Sequence, residues 1–206
     1  MRNIIGQAVV GDDLYGRDYE LARLWEHFDH GEHVLMLAPR RVGKTSLMLE
    51  LHRAPRENWH VINVDVEGGD GAEDCVAAVL AALAADARYR TRFEAIPFSG
   101  ALRSVLDGVS ANVDIGVLRV ELKRAIGREW DRVAAQLQDR LINLPYAGRK
   151  LLLILDELPI LISRMLRYGD RSGDADLLLS RLRQWRQAPA MRGTVHTLVG
   201  GSIGRG

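Results

Sequence analysis

Lysine is nearly absent from this chain. It occurs only at positions 44, 123 and 150, and arginine supplies the rest of the 28 basic residues. Cysteine occurs once, at Cys75, which excludes an internal disulfide and any cysteine-based zinc spacing. The charge is balanced, with a formal net value of +1, so neither a dedicated nucleic-acid surface nor a membrane surface is supported. No apolar run approaches the ~20 residues that span a bilayer. The first residues, Met1 to Gly6, lack the apolar core of a signal peptide. The expectation is a soluble, cytoplasmic protein. At 206 residues the chain is long enough for one well-buried α/β domain.

Against so much arginine, a lysine at position 44 stands out. Arginine suits a carboxylate fork, whereas a compact ammonium on a flexible stem suits a phosphate cradle. The surrounding stretch runs from His33 through the apolar Val34 to Ala38, turns at Pro39-Arg40-Arg41-Val42, and reaches Gly43-Lys44-Thr45-Ser46. Its order is strand, loop, helix, the context of a phosphate-binding loop of the pattern G-x-x-x-x-G-K-[ST]. Ala38 stands where that pattern has its first glycine. Alanine is tolerated there provided φ is not positive.

Before this stretch, residues 1–13 read as an irregular lead-in. A helix is expected from about Asp18 to His30, with Leu21, Leu24, Trp25 and Phe28 on one face and Gly31 as its stop. The helix that opens at Lys44 ends before Pro55. Further on, Trp59 to Val66 alternates as a strand, and a helix follows to about Ala87. A short helix is expected near 100–107. The alternation from Val113 to Leu122 changes phase at Gly116-Val117, which predicts a small hairpin or bulged strand pair at about 110–122. A helix from about Arg128 to Leu144 closes at Pro145.

Leu151 to Leu155 are five consecutive apolar residues ahead of Asp156-Glu157, the mark of a strand buried on both faces. Pro159 fits the first turn of the next helix. A polar loop at 169–174, another helix through Gln187 and a last strand at about Thr194 to Val199 complete the chain. Gly200-Gly201-Ser202-Ile203-Gly204 read as a turn after that strand. Strands alternating with helices predict a parallel α/β sheet with helices on both faces.

Two segments support one chemistry. Lys44 can reach the β- and γ-phosphates of a nucleotide, and the Thr45 hydroxyl can ligate Mg²⁺. The 151–155 strand delivers Asp156 and Glu157 to the carboxyl edge of the sheet, where open α/β folds bind ligands. Asp156 is then the metal-holding carboxylate, and Glu157 the group that orients or deprotonates the attacking water. His27, His30 and His33 fall on a helix end, a loop and a strand start, which is no metal-ligand arrangement.

With these residues in view, the chain resembles the archaeal/bacterial ATPase family, P-loop NTPases of the AAA+/STAND type. The resemblance rests on Tyr15-Gly16-Arg17-Asp18-Tyr19-Glu20-Leu21, the 39–46 loop, Leu155-Asp156-Glu157-Leu158-Pro159, Leu182-Arg183-Gln184-Trp185-Arg186 and Gly201-Ser202-Ile203-Gly204. It implies that Gly16 and Arg17 lie beside the adenine and ribose, and that Ser202 acts as a sensor hydroxyl near the γ-phosphate. It implies nucleotide contacts from the whole loop: Ala38, Pro39, Arg40, Arg41, Val42, Gly43, Lys44, Thr45 and Ser46. Residues 14–206 then form the P-loop ATPase domain. A final core strand, a lid and a C-terminal domain, usual in the family, are not expected within these residues.

The expected function is ATP binding with Mg²⁺-dependent hydrolysis, catalysed by Glu157, Lys44 and Ser202, with Thr45 and Asp156 at the metal. The alternative is a nucleotide-dependent switch or binding module with negligible turnover. A third reading, a DNA-associated AAA+ factor, has only family analogy behind it, because no basic stripe or helix-turn-helix is present. Expected partners are ATP and ADP, and a second copy or another protein; no membrane partner is expected.

Overall fold

The computed structural model describes residues 8–90, 98, 100–110, 112–143, 148–167 and 171–202. Residues 1–7 of the lead-in, Leu144 and Pro145, the start of the 169–174 loop, and Ile203 and Gly204 lie outside them. The chain divides into two compact units. One comprises residues 1–67, 146–160 and 192–206, and the other 68–145 and 161–191.

The first unit holds four parallel strands: β1 (Val34–Ala38), β2 (Trp59–Asp65), β3 (Lys150–Asp156) and β4 (Val195–Ser202). Their order is β1-β4-β3-β2. Ala38 pairs with Ser202, and Asp65 with Asp156, so all four strands end at one carboxyl edge. α1 (Asp18–Asp29) and α2 (Lys44–Arg53) lie on one sheet face. The spacing of Leu21, Leu24, Trp25 and Phe28 seats α1 against Trp59, Val61, Leu152, Ile154 and Leu198, and Met48 and Leu51 bring α2 to the same core. Trp25, Phe28 and Trp59 stack edge-on or tilted with centroids 5.6–6.0 Å apart. Lys150 lies over the Trp59 ring, its ammonium 5.1 Å from the centroid.

The opposite face is unevenly covered. Leu151, Leu153 and Leu155 on β3 are buried, whereas Leu35 and Leu37 on the edge strand β1 are 61% and 45% exposed. The fold class expected from the sequence, a parallel α/β sheet flanked by helices, is the class observed.

The second unit is helical: α3 (Ala72–Ala85), α4 (Gly100–Asp107), α5 (Ile115–Ile126), α6 (Trp130–Asn143), residues 161–167 of α7 (Leu158–Arg167), and α8 (Ser172–Gln187). Small residues along α3 let α5, α6 and α8 pack against it. Asp74 accepts the Asp70 and Gly71 amides at the start of α3 and receives Lys123 Nζ at 2.8 Å. Arg171 bonds Glu73, so the acidic cluster there is balanced within the unit.

Two expectations fail. The hairpin at 110–122 is instead the helix α5. Asp114 caps it by accepting the Val117 amide, and Leu118, Leu122 and Ile126 recur at i, i+4, i+8 on a buried face. The β-like alternation came from Ile115, Val117 and Val120, which are exposed. The last strand also runs further than Val199. Gly200, Gly201 and Ser202 continue β4 in register with Met36, Leu37 and Ala38, rather than forming a turn.

Candidate functional site

A cleft of about 930 Å³ opens above the β1–α2 loop, all of its lining within the first unit. β1 stops at Ala38, the chain turns through Pro39 to Gly43, and α2 begins at Lys44. Gly43 is the N-cap of α2 with φ +87°, a value that glycine alone adopts freely. Ala38 has no positive φ, which agrees with alanine in place of the first loop glycine. A second left-handed residue in the loop is Arg41, at φ 67°, and no sequence signal marks an arginine for that conformation.

Lys44 is 6% exposed. Its ammonium donates to the carbonyls of Ala38 and Pro39, each at 3.0 Å, and to Ser202 Oγ at 3.1 Å. Ser202 in turn donates from Oγ to Glu157 Oε1 at 2.6 Å, and its amide donates to Glu157 Oε2 at 2.8 Å. Lys44, Ser202 and Glu157 are thus one hydrogen-bonded line across the carboxyl edge. Glu157 has φ 58°, a second strained non-glycine residue at this site.

Thr45 Oγ1 donates to Asp156 Oδ2 at 2.9 Å and ties the loop to β3. Asp156 is 3% exposed, and its Oδ1 is buried with no hydrogen-bond partner. Burial pushes its carboxyl above the ordinary value. The Thr45 bond opposes the rise, and the charges of Glu157 and Asp65 add to it. The orphaned Asp156 oxygen and the Thr45 hydroxyl are hard oxygen donors, the type that Mg²⁺ prefers. Asp156 and Thr45 fit that ion, and the loop and the α2 N-terminus fit an anion.

Gly200 makes this close packing feasible. A Cβ there would lie 2.1 Å from Met48 Cε and 2.8 Å from Asp156 Oδ1. At Gly201 a Cβ would lie 2.3 Å from Pro159 Cγ. Neither glycine carries a sequence signal that marks it for packing.

The remaining expected residues divide. Gly16 (φ 72°) turns the chain into α1. Arg17 donates through one guanidinium nitrogen to Glu20 at 2.6 Å and through the other to the Val42 carbonyl at 2.7 Å. Val42 and Gly43 also line the cleft, with Ala8, Val9 and Tyr15 on another wall. Ser46 is buried and accepts the Val9 amide at 3.0 Å, so its hydroxyl is engaged by the lead-in. Arg40 is an exposed partner of Glu67 at 3.2 Å. His33 Nδ1 lies 2.9 Å from Thr197 Oγ1.

No protein-family model and no curated protein matches the chain. Among solved structures, the Walker-type ATPase PABY2304 of Pyrococcus abyssi is similar over 97% of this chain, at 18% identity and a TM-score of 0.56. The chain spans 48% of that protein's length. The likeness shows the fold alone, a parallel α/β sheet flanked by helices.

Proposed function

We propose that this chain binds ATP with Mg²⁺ above the β1–α2 loop and hydrolyses the terminal phosphate. The observation that carries the reading is the Thr45–Asp156 bond beside the unpartnered Asp156 Oδ1. It joins a cation donor set to the mouth of an anion-binding loop. The loop amides and the α2 N-terminus take the β- and γ-phosphates, and Lys44 exchanges loop carbonyls for phosphate oxygens. Thr45 and Asp156 would hold Mg²⁺, which when bound would supply charge neutralisation for the phosphates.

Glu157 accepts a proton from the attacking water as the new P–O bond forms and the bond to the bridging oxygen breaks, releasing ADP and phosphate. Ser202 orients the γ-phosphate or that water. The motif order, together with the fold likeness, supports the AAA+/STAND type. Calorimetric titration of MgATP tests the reading. Lys44→Ala is expected to weaken nucleotide binding, and Glu157→Gln to keep binding while stopping phosphate release. If both variants bind and turn over like the parent, the reading is wrong.

A second reading is a nucleotide-responsive switch with negligible turnover. It is favoured by the two Ser202 donors that occupy the Glu157 carboxylate. Tight MgATP binding without phosphate release selects it; steady release selects the ATPase.

A further inference from the structure

Arg17 lines the cleft beside the β1–α2 loop. Its bond to the Val42 carbonyl is a contact with the loop backbone, and a Cβ on Gly43 would lie 3.5 Å from the same guanidinium nitrogen. The Val42 C=O and the Gly43 N–H belong to one planar trans peptide and point in opposite directions. Holding the carbonyl toward Arg17 therefore fixes the amide on the opposite side of that peptide.

This peptide is also the one most prone to flip. A flip rotates ψ of Val42 against φ of Gly43, and glycine offers the least steric resistance. Gly43 already sits at φ +87° and Arg41 at φ 67°, so the loop has left-handed residues on either side of Val42. Arg17 is itself fixed, since its other nitrogen is held by Glu20, one turn into α1. A forked guanidinium can serve two acceptors in different directions at once.

We propose that Arg17 is a positioning residue for phosphate recognition: through the Val42 carbonyl it sets the Val42–Gly43 peptide so that the Gly43 amide faces the bound anion. The proposal rests on the nucleotide reading above and departs from a base-contacting role. The two roles differ toward a probe that has phosphates and no base.

The test compares the full chain with Arg17→Ala and Arg17→Lys, using MgADP and magnesium pyrophosphate as ligands, with the melting temperature as a control for folding. Losing one charge-assisted bond is expected to weaken both ligands about tenfold and by the same factor in Arg17→Ala, with melting unchanged. Arg17→Lys, which keeps a donor for the Val42 carbonyl, is expected to recover most of the loss. A loss confined to MgADP assigns Arg17 to the base or ribose and overturns the proposal. Unchanged affinity for both ligands in Arg17→Ala overturns it too, while leaving the nucleotide reading intact. If the parent binds neither ligand, the nucleotide reading falls and takes the proposal with it.

Discussion

Gly200→Ala probes how the Asp156 carboxylate is held. The added methyl would stand 2.1 Å from Met48 Cε, 2.9 Å from Met48 Sδ and 2.8 Å from Asp156 Oδ1. Met48 is fully buried and has no solvent to swing into, although its end is flexible. Overpacking of this kind costs about 1–3 kcal/mol. The backbone at 200 has no positive φ, so alanine is conformationally acceptable there and returns about 0.4–1 kcal/mol by narrowing the unfolded ensemble. A net loss of about 1–2 kcal/mol follows, or roughly 2–8 °C in melting temperature for a chain of this size.

The neighbour supplies the control. At Gly201 the methyl meets the Pro159 ring at 2.3 and 2.7 Å, and a ring cannot change rotamer to make room. Gly201→Ala is therefore expected to be the less stable variant in urea. Gly200→Ala is expected to show the larger loss in Mg²⁺ dependence of nucleotide binding, because it displaces Asp156. If Gly200→Ala leaves both stability and Mg²⁺ response at parental values, or if Gly201→Ala is the milder change, the packing argument is refuted.

Three further outcomes are expected. Because burial raises the Asp156 carboxyl, its charge costs stability at neutral pH, and the cost fades as pH falls through the raised value. Asp156→Asn should melt higher than the parent at pH 7.5 without ligand, with the advantage narrowing toward about pH 4, and should lose Mg²⁺-dependent nucleotide binding. His196 is the opposite case: burial holds its imidazole below the ordinary value, and its Nε2 is buried without a partner. The unfolded chain then protonates first as pH drops through about 6.5, so stability is lost on the acid side, and His196→Gln should flatten the urea midpoint between pH 7.5 and pH 5.5. At Arg41 the left-handed backbone costs an L-residue about 1–2 kcal/mol. Arg41→Gly trades that strain for unfolded-state entropy and should stay within about 0.5 kcal/mol of the parent in chemical denaturation, whereas Arg41→Val should lose about 1–2 kcal/mol.

The parts of the site that were legible in the sequence are those written locally. Gly43-Lys44-Thr45 after an apolar run, and Asp156-Glu157 after five apolar residues, each fix a strand and its carboxyl edge within a few positions. Parallel pairing then brings them together, since Ala38 and Asp156 both end at the carboxyl edge. What stayed hidden depends on residues distant in the chain. Gly200 and Gly201 look like a turn until Met48 and Pro159 are known to fill the space beside them. α5 looks like strands because its solvent side carries Ile115, Val117 and Val120, and the helix is decided by the buried Leu118, Leu122 and Ile126. The left-handed backbones of Arg41 and Glu157 have no sequence signature, because those residue types ordinarily avoid that conformation. The same holds for Arg17: the motif that contains it is readable, but its bond to the Val42 carbonyl is a product of folding.

The edge strand β1 has a consequence for handling the protein. It pairs with β4 on one side, and its outward leucines, Leu35 and Leu37, sit beside backbone groups that repeat every two residues along the other. Such an edge is a template for unwanted strand addition, and this one contains no lysine, proline or bulge within it. Only its brevity, five residues, and the flanking Glu32, Pro39, Arg40 and Arg41 act as gatekeepers. Aggregation on concentrating or warming the protein is therefore expected to begin at β1, and a ligand bound at the proposed site on the loop that follows it would be expected to protect the chain from clumping as well as from unfolding.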